Sequence, residues 1–158
     1  HDVGKVAISD AILKKRGSLN SEEWTEMRRH PEIGYELLKL AGTDVVAQNI
    51  AHYHHESWDG SGYPDGLKGE DIPIEARIIT LADVFDALTT RRCYKPAFTI
   101  AKTEDIFRDL SGQHLDPALV DLYFQQRDGF ERIRVEYQDT AAARTDSEEV
   151  AEPVKATA

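Results

Sequence analysis

Residues 75 to 90 read as the most apolar helix of the chain, and inside it two carboxylates, Asp83 and Asp86, stand three residues apart. In a helix they share a face with Ile79, Ala82 and Ala87, so the spacing predicts acid groups aimed into a mostly apolar surface. An ionised carboxylate buried alone costs several kcal/mol or takes up a proton. Any fold of this chain must therefore bring Asp83 a partner. A divalent cation is the economical one; the structural alternative is a pair satisfied by backbone groups and Arg77 or Arg92.

The flanking sequence is helical in pattern, with no internal repeat and no sustained strand alternation. Asn20 and Glu23 form a capping-box pattern that opens a helix expected to run to about His30. Pro31 suits the first turn of the next, which carries Ile33, Leu37, Leu38 and Ala41 and should stop near Gly42. A third begins after Asp44; its stripe of Val46, Ile50 and Tyr53 leads into His54 and His55. From Ser57 to Pro73 the pattern collapses into a segment holding Gly60, Gly62, Gly66, Gly69 and Pro64. A loop this long is uncommon in a compact domain unless it has a purpose, and Trp58 and Tyr63 argue for order. Asp116-Pro117 opens a last helix whose Leu119, Val120 and Phe124 offer a face to bury. The sequence thus predicts one all-α domain over residues 1–137. Residues 138–158 are acidic and alanine-rich without apolar periodicity, and are expected to be a disordered tail.

A net charge of -10 excludes a sequence-independent grip on duplex nucleic acid, which needs a basic stripe. It permits a small phosphate substrate, because bound cations reverse the field of an acidic pocket. No apolar run is long enough to span a membrane and Cys93 is the single cysteine, which together place the expectation in the cytoplasm. The first residue is His, and the one methionine, Met27, sits inside a helical pattern, so the chain is expected to be a piece of a longer protein.

Imidazoles and carboxylates gather at His1-Asp2, His30, His54-His55 and Asp83. Mixed sets of this kind suit manganese, iron or zinc. On a helix, His54 and His55 point about 100° apart, an arrangement that serves two neighbouring ions better than one. His52 and His114 carry the plainer reading of capping or surface histidines.

Four blocks in order resemble the HD-GYP family: His1-Asp2-Val3-Gly4-Lys5; His30-Pro31-Glu32-Ile33-Gly34; His54-His55-Glu56 with Trp58-Asp59-Gly60-Ser61-Gly62-Tyr63-Pro64; and Ala82-Asp83-Val84-Phe85-Asp86-Ala87-Leu88. The resemblance spans residues 1 to about 125. It implies a helical bundle of the HD superfamily with a long glycine-rich loop and two or three divalent ions, usually iron or manganese. It also implies hydrolysis of cyclic di-GMP, or a related cyclic dinucleotide, to linear pGpG or GMP in bacterial second-messenger signalling. By position it makes His1, Asp2, His30, His54, His55 and Asp83 the metal ligands, with Asp2 the bridge and Lys5 supporting phosphate and the nucleophilic water. Tyr63, Asp86, Arg92 and Lys95 are implied to contact substrate. A diguanylate cyclase (GGDEF) partner and an upstream sensory or receiver domain are the implied associates.

The chain departs from the family pattern at Arg91, Cys93 and Pro96, and it begins at the His-Asp pair, where relatives carry an upstream glutamate and histidine. Two rivals remain. One is a catalytically silent module that binds a cyclic dinucleotide or a cyclase partner through the Gly60 to Gly69 loop. The other is an HD-type mononucleotide phosphohydrolase, against which the Gly62-Tyr63-Pro64 block and the His54-His55 pair weigh.

Overall fold

A computed structural model of the chain describes residues 1–91 and 96–141, with side chains as far as Tyr137. Its helices are α1 (Asp10–Leu13), α2 (Ser21–Met27), α3 (His30–Leu40), α4 (Val45–Tyr53), α5 (Ile74–Thr89), α6 (Ile100–Leu110) and α7 (Pro117–Ala141), with 3-10 turns at Val3–Ala7 and Gly69–Asp71. Among the described residues no strand forms beyond a bridge between Ser111 and Leu115, so the fold is all-α as expected.

The local signals act where the sequence put them. Asn20 Oδ1 accepts the Glu23 N–H at 2.9 Å and the Glu23 carboxylate accepts the Asn20 N–H at 2.8 Å, closing the capping box. Helix α2 nevertheless ends at Met27, short of His30, and His30 opens α3 with Pro31 in the first turn. Asp44 caps α4 by accepting the Ala47 N–H at 2.9 Å. Helix α6, capped by Thr99 accepting the Lys102 N–H, is not among the elements expected from the sequence. Helix α7 runs past the expected break at Tyr137 to Ala141, and residues 142–158 lie outside the described residues.

The core sits where α5 meets α6 and α7. Leu81, Val84, Phe85 and Leu88 pack on Phe107, Leu115, Val120 and Tyr123. The Phe107 and Tyr123 rings lie 4.7 Å apart and tilted. Each fully buried side chain of this size contributes roughly 1.5–3 kcal/mol, and a tilted ring pair about 0.5–1.5 kcal/mol more. This cluster fixes the rotation of α5, and that rotation corrects the sequence expectation. The buried stripe is Ala76, Thr80, Leu81, Val84, Phe85 and Leu88, whereas Asp83 and Asp86 are exposed. The broader apolar arc takes the core, and the narrower arc with the two acids is left on the opposite side. Arg77 is not their partner; it pairs with the buried Asp116 at 2.7 Å.

The other half of the molecule is α3 against α4 and the Val3–Ala7 turn. Gly4 permits its closest approach. A Cβ at Gly4 would lie 2.0 Å from the His30 carbonyl oxygen and 2.5 Å from the Gly34 nitrogen, contacts no other residue tolerates. This crossing delivers the first residues of the chain to the start of α3.

Candidate metal centre

Three backbone anchors and one crossing assemble the site. His30, at the start of α3, turns its Nδ1 to the Met27 carbonyl at 2.7 Å. His54 follows the last residue of α4 and turns its Nδ1 to the Ile50 and Ala51 carbonyls, both at 3.0 Å. A carbonyl only accepts, so both Nδ1 atoms carry the proton and each Nε2 presents a lone pair. These two Nε2 atoms face each other at 3.2 Å, and His55 Nε2 lies 3.1 Å from His30 Nε2. Asp2 Oδ1 stands 3.3 Å from His30 Nε2 and 3.5 Å from His54 Nε2. One ligand atom from each of Asp2, His30, His54 and His55 falls within 4.8 Å of all the others.

Lone pairs converging in this way repel unless something positive sits among them. Protonation is a poor answer, because burial holds His54 below its ordinary 6.5, against the pull of Asp2, and holds His55 well below it. A divalent cation fits. The donors are imidazole and carboxylate, and the carbonyl-held Nδ1–H groups of His30 and His54 are the outer hydrogen bonds that orient histidine ligands.

His54 and His55 do not diverge as two residues of one helix would. Helix α4 has ended at Tyr53, His55 lies in the turn beyond, and the two rings sit 4.1 Å apart on the same cluster. At the rim, His1 Nε2 lies 3.3 Å from Asp2 Oδ2 and 3.9 Å from Asp83 Oδ1. The Asp83 side chain is 52% exposed, so it overlooks the cluster from outside instead of supporting it from a buried face. Lys5 Nζ donates to Asp2 Oδ2 at 2.9 Å. Tyr63 stacks on His55, with centroids 4.8 Å apart and planes 15° from parallel. Asp86, exposed, accepts a hydrogen bond from Thr90 Oγ1 at 2.9 Å. Arg92 and Lys95 lie outside the described residues.

Glu56, which no sequence pattern singles out, is 2% exposed. Its carboxylate accepts the N–H groups of Asp65 at 2.8 Å, Gly66 at 3.0 Å and Leu67 at 3.1 Å. Gly62 passes over it so closely that a Cβ would meet the Ser57 nitrogen at 2.3 Å. Glu56 thus folds the 57–67 segment back on itself and sets Tyr63 against His55. The one available signal was a carboxylate followed by a glycine-rich stretch with surplus backbone donors. Of the two histidines given the plainer reading, His114 is half-buried and its Nδ1 lies 2.9 Å from Ser57 Oγ. His52 lies 3.6 Å from an Asp65 carboxylate oxygen.

Residues 1–119 match the family model described as HD domain. The chain belongs to the HD-domain family. Every described residue of the cluster lies within this HD domain, as do the four blocks that resemble HD-GYP proteins. The chain is 46% identical over 148 residues to a cyclic di-GMP phosphodiesterase of Vibrio cholerae, covering 89% of this chain and 30% of that protein. It is 47% identical to the cyclic di-GMP phosphodiesterase response regulator RpfG of Xanthomonas campestris, covering 91% and 38%. It is also 47% identical to the 3'3'-cGAMP-specific phosphodiesterase 2 of Vibrio cholerae, covering 88% and 27%. The chain thus spans about a third of the length of these relatives. Among solved structures, a cyclic GMP-AMP specific phosphodiesterase of V. cholerae superposes with a TM-score of 0.62 at 20% identity, over 91% of this chain and 37% of that one, and shares the fold. No helix among the described residues is long and apolar enough to cross a membrane.

Proposed function

We propose that this HD domain is a metal-dependent phosphodiesterase that opens a cyclic dinucleotide, cyclic di-GMP or a close relative, to linear pGpG or GMP. The observation that carries the reading is the convergence of Asp2, His30, His54 and His55 within 4.8 Å. The names of the similar proteins, all cyclic dinucleotide phosphodiesterases, supply the substrate class.

In this reading His1, Asp2, His30, His54, His55 and Asp83 hold two or three divalent ions, iron or manganese. Such ions lower the pKa of bound water to the neutral range and clamp phosphate oxygens. Asp2 reaches both inward and outward, its Oδ1 toward His30 and His54 and its Oδ2 toward His1 and Lys5, which suits a bridging carboxylate. Lys5 holds a positive charge beside that carboxylate, placed to offset charge developing on a phosphate. The family resemblance assigns contact with the substrate to Tyr63, Asp86, Arg92 and Lys95, and the proposal keeps that assignment. A cytoplasmic setting, a GGDEF cyclase partner and a sensory or receiver domain elsewhere in the parent protein complete the proposal.

The test is elemental analysis of anaerobically purified protein, paired with turnover of cyclic di-GMP. Bound iron or manganese with linear product supports the reading; metal-free protein, or nucleoside triphosphate turnover without dinucleotide cleavage, ends it. Asp83→Asn separates ligand from scaffold. Because Asp83 is exposed, the variant should melt like the parent when metal-free, yet retain less metal and turn over more slowly. Full metal retention would remove Asp83 from the ligand set.

A further inference from the structure

Tyr63 has a second neighbour besides His55. The guanidinium of Arg28 lies over its ring, 4.9 Å from the centroid. Arg28 is the residue at which α2 stops, and it is exposed. Tyr63 therefore touches both a cation at the surface and an imidazole of the cluster.

Among the described cations near the site, Arg28 is distinguished by what it lacks. Lys5 is committed to Asp2 at 2.9 Å, and the adjacent Arg29 is committed to Glu26 at 3.0 Å. Among the described residues no carboxylate lies within ion-pair distance of Arg28; its interaction is with the ring of Tyr63. A guanidinium placed over an aromatic face still has N–H donors to offer beyond the ring, and a pair of them matches two oxygens of a phosphate. The ring contact also restrains its rotamers, so less entropy is lost when a ligand arrives.

A cyclic dinucleotide carries two phosphodiester groups and two negative charges. One metal cluster engages one of them, and the second must lie against a chain whose net charge is -10. We infer that Arg28 is a substrate-binding residue that receives the second, uncleaved phosphate of a cyclic dinucleotide, held in place for it by Tyr63. The inference rests on the phosphodiesterase reading above and adds to it a determinant of dinucleotide over single-ester substrates.

The experiment compares the parent chain with Arg28→Ala and Arg28→Lys. Dissociation constants for cyclic di-GMP are measured by calorimetry on metal-free protein, and kcat/KM is measured on manganese-loaded protein for cyclic di-GMP and for bis(p-nitrophenyl) phosphate. Loss of one charge-assisted bidentate contact should weaken calorimetric binding by about tenfold or more in Arg28→Ala. Preference for the dinucleotide over the single diester should fall by a similar factor. Arg28→Lys should recover part of both, since lysine keeps the charge and loses the fork. Unchanged binding and unchanged preference in Arg28→Ala overturn the assignment of Arg28 while leaving the phosphodiesterase reading intact, as does an equal loss on both substrates. If the parent cleaves the single diester but neither binds nor cleaves the dinucleotide, the substrate class is wrong and the role of Arg28 falls with it.

Discussion

The Nε2 atoms of His30 and His54 face each other at 3.2 Å, each with its proton held on the opposite ring nitrogen by backbone carbonyls. Two lone pairs so placed make the folded chain wait for a cation. A ligand that binds the folded state alone stabilises it by about 2.7 kcal/mol at a hundred times its dissociation constant. For a domain of this size that raises Tm by on the order of 10 °C. Adding manganese to chelator-treated protein should therefore lift the melting transition, and His30→Gln should abolish the lift. A transition indifferent to metal and chelator would falsify the cluster as a binding site.

Burial holds His114 below the ordinary imidazole value of 6.5, against the fields of Asp59 and Asp83, and it acts on His54 and His55 in the same direction. Below pH 6.5 the unfolded chain takes up protons that these folded imidazoles refuse, so stability rises with pH through that window. The metal-free protein should be at full stability above about pH 6.5 and lose it steadily on acidification toward the depressed folded values. Urea midpoints between pH 7.5 and 5.5 give the slope. His114→Gln lies outside the metal cluster and should flatten it, and an unchanged slope would remove His114 from this account.

Gly4→Ala adds one carbon atom at a point where the His30 carbonyl oxygen is 2.0 Å away. Helix α3 and the first turn must separate to admit it, carrying Asp2 away from His30. A cost of about 3 kcal/mol or more is expected from overpacking of this severity. Denaturant unfolding measures that cost, and metal titration should show weakened binding beyond it. An alanine variant with parental stability and metal affinity would contradict the crossing.

Glu56→Gln keeps the shape of the side chain and removes its charge. The amide still offers an oxygen to Asp65 and Gly66, but its nitrogen meets the Leu67 N–H, donor against donor. An unsatisfied buried donor costs about 1–3 kcal/mol. The effect should be local, with a changed Trp58 emission and faster proteolysis of residues 57–69. Turnover should drop further than metal content does. Parental emission and cleavage rates in Glu56→Gln would show that the loop is held by other contacts.

Much of this molecule was legible one segment at a time. The Asn20–Glu23 box, the Asp44 cap, Pro31 in the first turn of α3 and the ordered glycine-rich loop are all short-range chemistry, so the residues that enforce them are neighbours in sequence. The rotation of α5 was not legible. Apolar arcs on both sides of that helix are compatible with a core, and the choice between them is made by Phe107, Leu115 and Tyr123, which lie outside it. The convergence of His54 and His55 is not a local feature for a related reason, since it turns on α4 ending at Tyr53, the residue before His54.

The amino-acid order alone determined that the chain is helical, acidic and rich in imidazoles, and it named the residues from which a metal centre could be built. Tertiary structure decided which of those residues meet. It placed Asp2, His30, His54 and His55 on one point, left Asp83 at the rim, and made a buried Glu56 the clasp of the loop. The reason is that caps and periodicity are settled within a few residues of backbone. The meeting of side chains from distant segments depends on close approaches such as Gly4 against α3, which no local pattern encodes.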